Sequence, residues 1–253
     1  MKRFIPFCFF ILFLLFSVSS KSQSITIAAA ADLRYAMDDI VREFNKTEPA
    51  IKVNVIYGSS GNLYQQIVNQ ASFQAFFSAD LSFARKLDSL GLTSGKPKLY
   101  AIGHLVLWST TLDVTKGVSI LTSEAVKKIA IANPATAPYG RRAVECMKYY
   151  HVFDQVQDKI VKGENVSQAA QFALTGNAEA GLIALSLALS PEMMAKGKYF
   201  MLDEISYSRL EQAYVIMKNA APDSELKKFI AFLDTNPARK IFIKYGFKLP
   251  GEK

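Results

Sequence analysis

The chain has 253 residues, half of them hydrophobic, and a formal net charge of +8. That length and apolar content support one large or two modest α/β domains and exclude a disordered chain. Its lysines and arginines are scattered among acids, with no basic stripe interleaved with aromatics, so a nucleic-acid binder is excluded and a surface that favours small anions is left.

Lys2 and Arg3 precede an apolar run over 4–16, and small residues follow at Ser17, Ser19 and Ser20. This predicts a secretory signal peptide over 1–20, cleaved near Ser20 or Ser22. The run is too short, and the segment after it too polar, for a membrane span. Cys8 leaves with the signal, so Cys146 has no intramolecular disulfide partner and is either a buried thiol or a reactive one. Cys8 lacks the preceding small residues of a lipoprotein signal, so an unanchored, periplasmic protein is expected.

A strand is predicted over 24–29. From Leu33 the apolar residues fall at Ala36, Met37, Ile40, Val41 and Phe44, the spacing of an amphipathic helix, with Asp32 as its natural N-cap. A strand over 51–57 ends in Gly58-Ser59-Ser60-Gly61-Asn62, and a helix begins at once. A short strand over 74–78 and a helix through Phe83, Leu87 and Leu90, stopped by Gly91, complete a βαβα winding that implies a mostly parallel sheet. After "GKPKLYAIGHLVLWS" the pattern restarts. Strands over 128–133, 159–163 and 180–185 alternate with a helix over 139–149 and one opened by Asn165-Val166-Ser167. "EQAYVIMK" reads as a further strand, and helices over 224–232 and 237–245 close the chain. Two lobes follow, 24–103 plus 213–253 and 104–212, with crossings near Gly103 and Gln212.

At four places a strand ends, small or polar residues turn the chain, and a helix starts: Ala30-Ala31-Asp32, Ser59-Ser60-Gly61, Pro138-Tyr139-Gly140 and Asn165-Val166-Ser167. Helix N-termini carry unpaired N–H donors and the positive end of the macrodipole, so several aimed at one point make an anion site without arginine or lysine. Any doubly wound chain has such turns, and convergence is not visible in the sequence.

"TIAAAADLRYAMDDIVREF", "YGSSGNLYQQI", "FFSADLSFARKL", "IANPATAPYG", "GENVSQAAQFALTGNAEAGLIAL" and "ARKIFIKYGF", in that order, resemble the substrate-binding protein of molybdate ABC transporters. The resemblance implies an α/β, two-lobed periplasmic-binding-protein fold of type II, each lobe a mixed, mostly parallel sheet flanked by helices. It implies a non-enzymatic protein without cofactor or free metal ion, closing on molybdate or tungstate and delivering it to a membrane permease; a monomer is expected. Carried over by residue, it puts a hydroxyl and N–H donor at Ser60 and backbone donors at Tyr139 and Val166, with Ser59 as turn scaffolding.

Two positions depart from the family. Its first-loop serine or asparagine falls on Asp32, and a tyrosine used by some members falls on Ala184, a loss the Tyr139 hydroxyl would offset. At Asp32 the backbone N–H is expected to serve the anion while the carboxylate caps the helix near the N–H of Tyr35. A carboxylate beside a dianion repels it, whereas it would accept the proton of hydrogen phosphate, so another oxyanion such as phosphate is the alternative ligand.

A remoter alternative is an exported serine hydrolase with Ser60 as nucleophile, although GSSGN is not a nucleophile elbow and neither His104 nor His151 is placed by any motif as its base. The two histidines have no metal-ligand spacing and are read as structural or surface residues. Trp108 is read as core or hinge packing, Asp38-Asp39 and Asp203-Glu204 as solvated faces or loops, and the methionine pair of "MMAKGKYFM" as helical core.

Overall fold

Strand β1 (Gln23–Ala30) turns Ile25, Ile27 and Ala29 toward one helical layer and Ala28 toward another, the two-residue period of a strand buried on both faces. The same split runs through β3 (Ala75–Ser78), where Ala75 and Phe77 join the first layer and Phe76 the second. The structure, a computed structural model, describes residues 23–251. The expected signal peptide and Cys8 lie outside the described residues.

β1 is parallel to β2 (Ile51–Gly58) and to β3, and β10 (Leu210–Ile216) is antiparallel to β3 and to β4 (Lys98–Gly103), giving the order β2-β1-β3-β10-β4. Helices α1 (Arg34–Thr47), α9 (Ser224–Phe232) and α10 (Asn236–Lys244) cover one face, with Met37, Ile40, Phe44, Phe229 and Phe242 packed together. Helices α2 (Ser60–Val68) and α3 (Leu81–Ser89) cover the other through Leu63, Ile67, Phe83 and Leu87.

The second sheet has the order β7-β6-β8-β5-β9. Its strands are β5 (Leu105–Ser109), β6 (Ile129–Ala132), β7 (Ile160–Gly163), β8 (Ala180–Ala184) and β9 (Lys198–Met201). Around it lie α4 (Pro138–Tyr149), α5 (Phe153–Val156), α6 (Val166–Leu174), α7 (Leu185–Ala188) and α8 (Pro191–Lys196). Trp108, on β5, is fully buried in this lobe's core. Of the methionine pair, Met193 is buried and Met194 exposed, and the chain leaves that helix at Gly197 for β9.

Both sheets are mixed, as expected, with two parallel and two antiparallel pairings each rather than a parallel majority. The antiparallel pairings all belong to β10 and β5, the strands by which the chain enters each lobe from the other. The outward crossing is His104, between β4 and β5. The return lies at 202–209, because all of β10 pairs in the first sheet and a division at 212/213 cuts through that strand. No helix among the described residues is long and apolar enough to cross a membrane.

Cys146 is a free, buried thiol on α4, where burial pushes its pKa up to about 11. Since the thiolate is the nucleophile, Cys146 of the native protein should resist alkylation near neutral pH and react once the protein is denatured. Rapid labelling of the native protein would place this thiol at the surface.

Candidate anion site between the lobes

The four residues singled out in the sequence, Asp32, Ser60, Tyr139 and Val166, line one cavity between the lobes. Its cavity volume is ≈ 10 Å³, far below the roughly 300–1,000 Å³ of pockets for organic ligands. Among the described residues that line it there is no lysine, arginine or histidine.

Positive potential there can come only from backbone. α2 begins at Ser60, and its capping bonds are taken in order: Ser59 Oγ accepts from Asn62 N at 3.4 Å, and Gly61 N donates to Thr136 O at 2.8 Å. Neither bond uses Ser60 N. α6 repeats the device, with Asn165 Oδ1 accepting from Ser167 N and Gln168 N and leaving Val166 N. α4 opens on Pro138, which has no N–H, so Tyr139 supplies the first donor of that helix. Three helix starts from two lobes thus border one small volume, and the N–H groups of a helix's first turn are the donors that an anion requires.

Ser60 is fully buried, and its Oγ accepts from Ala79 N at 3.0 Å, which leaves the hydroxyl hydrogen to donate elsewhere. The helix cap is Ser59, as expected for turn scaffolding.

Asp32 sits in a 3-10 turn (Ala31–Leu33) ahead of α1, whose N-cap is Leu33 with no side-chain capping bond. The expected cap near Tyr35 is therefore not made. The carboxylate turns inward instead, where Oδ2 accepts from Gln212 Nε2 at 2.5 Å and Tyr139 OH at 3.2 Å. Gln212 is held by Tyr100, whose hydroxyl donates to Oε1 at 2.6 Å. Burial raises the Asp32 pKa to about 6, with the bonds from Gln212, Tyr139 and the residue's own backbone N–H pulling the other way. The Tyr139 hydroxyl is thus committed to Asp32 and does not replace the tyrosine missing at Ala184, which is buried at the end of β8.

Cross-lobe contacts bring the walls together. Ser167 Oγ donates to Ala31 O at 2.8 Å and Ser186 Oγ to Asp32 O at 2.7 Å. Asp80, the cap of α3, accepts from Arg141 and Arg142 of α4 at 3.3 and 3.1 Å. Gly61 and Gly103 permit the closest approaches: a Cβ on Gly61 would lie 2.5 Å from Thr136 O, and one on Gly103 would collide with Tyr139 OH. The sequence reading missed Gln212, Tyr100 and these bridging residues; the one available cue was a glutamine inside a mostly apolar strand.

The other candidates fall elsewhere. His104 Nδ1 lies 2.9 Å from Glu204 Oε1, outside the cavity lining, and His151 is exposed after α4. Asp38 accepts from Tyr57 OH, and Asp39 pairs with Arg42 and Lys244, so they form no acid/base dyad. With neither histidine at Ser60, the arrangement gives the hydrolase alternative no Ser–His pair.

Residues 25–248 match the family described as bacterial extracellular solute-binding protein. The molybdate-binding protein ModA of Rhodobacter capsulatus is 34% identical over 80% of this chain and 84% of its own length. That of Azotobacter vinelandii is 32% identical over 93% of this chain and 94% of its own. The solved structure of the Azotobacter vinelandii periplasmic molybdate-binding protein superposes with a TM-score of 0.83 at 30% identity, covering 89% of this chain and 99% of that one. These matches and the two-lobed architecture bear out the resemblance seen in the sequence: the chain belongs to the bacterial extracellular solute-binding proteins, a family of binding proteins rather than enzymes.

Proposed function

We propose that this protein captures molybdate, or tungstate, which equals it in charge and shape, between its lobes in the periplasm and delivers it to the permease of an ABC transporter. The observation that carries the reading is the small cavity into which Ser60, Tyr139 and Val166 present helix-start donors from both lobes, with no basic side chain in its wall. Preformed N–H groups recognise a dianion without a counter-charge, because the macrodipoles supply the positive potential. The relatives' names agree with this ligand. The protein acts as a monomer, exported by the segment 1–20.

Because the donors are divided between lobes, binding and closure are one event. Molybdate should raise the melting temperature by mass action and compact the protein in solution scattering, both effects saturating at the same ligand concentration. The panel is molybdate, tungstate, sulfate and phosphate. A melting shift without compaction would remove the closure mechanism, and a response to phosphate alone would remove the ligand assignment.

A further inference from the structure

Asp32 carries the only carboxyl among the described residues that line the cavity. Its two oxygens are treated unequally. Oδ2 takes both side-chain donors, and Tyr100 holds Gln212 Oε1 from behind with Nε2 facing Asp32; the residue's own backbone N–H also favours the charged form. Oδ1 is buried with no partner among the described residues, although Asp32 is 1% exposed. A buried carboxylate oxygen without a donor is unfavourable, and a dianion placed beside it makes the charged form worse.

The neutral acid resolves both difficulties, since Oδ1–H is then a donor that a ligand oxygen can accept. Resting on the reading that this cavity takes an oxyanion, we propose that the dianion binds together with one proton, carried on Asp32 Oδ1 and donated to a ligand oxygen. Asp32 thereby sets the pH dependence of capture and favours fully deprotonated dianions, which lack a proton of their own to fill that contact.

No other group on the neighbouring elements competes for this role. Tyr100 on β4 and Tyr139 on α4 face Asp32, and burial together with the Asp32 charge raises both phenols well above 10, so they stay neutral. Gln212 on β10 does not titrate. The packed helices α6 and α7 carry no ionisable side chain. On α1, Arg34 is exposed over the ring of Tyr57. His104 at the crossing is paired with Glu204 and held below its usual pKa by burial. The burial that holds the Asp32 carboxyl near 6 puts its loss of a proton inside the working range.

The sign follows from linkage: the bound state holds a proton that the free state releases as pH rises through about 6, so affinity is level below that point and falls roughly tenfold per pH unit above it. Calorimetric titration of the exported chain with sodium molybdate from pH 5.5 to 8.5, in buffers of different ionisation enthalpy, reads both quantities. Close to one proton should be taken up per molybdate at pH 8. Asp32→Asn keeps a donor at the position of Oδ1 and should show no uptake, a flat pH profile and tighter binding than the natural protein at pH 8. Infrared difference spectra of the natural protein give a readout that needs no variant, because a neutral-carboxyl carbonyl band should appear on adding molybdate at pH 8. Molybdate binding with no proton uptake and no such band overturns the proton-coupled site and leaves the molybdate reading standing. No molybdate binding by either protein at any pH, or tighter binding of phosphate at pH 8 without uptake, overturns the molybdate reading itself.

Discussion

Gly61→Ala should weaken molybdate binding by roughly 30- to 1,000-fold and abolish ligand-driven compaction, while the lobes stay folded. The added Cβ would stand 2.5 Å from Thr136 O and 2.9 Å from Thr136 Cα, both backbone atoms of the opposite lobe. Neither can swing aside as a side-chain end would. The helix start and the 134–138 loop must part, which strains or breaks the bond from Gly61 N to Thr136 O. Overpacking of this kind costs about 1–3 kcal/mol and a lost hydrogen bond about 1 more, so ~2–4 kcal/mol is withdrawn from closure. Within its own lobe the substitution is benign, since alanine suits a helix better than glycine by up to about 1 kcal/mol. Scattering with and without molybdate, beside calorimetry, checks this. Unchanged compaction and affinity would mean that α2 and the opposing loop never approach so closely in solution.

The second large effect is expected at Ser60. Its hydroxyl accepts from Ala79 N and has its hydrogen free, so Ser60→Ala removes a donor to the ligand and orphans a buried N–H together. Loss of a hydrogen bond to a charged group is worth ~1.5–3 kcal/mol, or roughly ten- to hundredfold in affinity. The orphaned N–H of Ala79 should also lower the melting temperature without ligand, by the equivalent of about 1–3 kcal/mol. Ser59→Ala separates the roles: Ser59 Oγ caps α2 through Asn62 N, so its loss should lower stability by about 1 kcal/mol and leave affinity nearer to natural. Equal affinity losses in the two variants would show that Ser60 acts through the helix start and not through its hydroxyl.

Much of the molecule is legible in the sequence because its signals are local. The 3.6-residue spacing of Ala36, Met37, Ile40 and Phe44 marks the buried face of α1, and helix α9 begins and ends at Ser224 and Phe232 as predicted. Ser59 and Asn165 cap the helices they precede, because a short polar side chain after a strand satisfies the N–H groups just beyond it wherever the segment lies in the fold. The ordered resemblance then named the donor positions, and the structure brings all of them to one cavity.

What tertiary structure alone decided is who meets across the lobes. Asp32 has the side chain of an N-cap and local sequence to match, yet it turns away from α1 because Gln212, distant in the chain, and Tyr139, in the other lobe, offer its carboxylate two donors in a dry interior. β10 pairs along its length with β3 and β4, which buries Gln212 between Tyr100 and Asp32, a placement that no spacing along the chain encodes. The parallel majority suggested by the βαβ winding gives way to mixed sheets because β5 and β10 enter from opposite lobes. Helix and strand periods are set by neighbours a few residues apart, whereas the protonation of Asp32 and the fit of Gly61 against Thr136 depend on surfaces that exist only once two lobes have met.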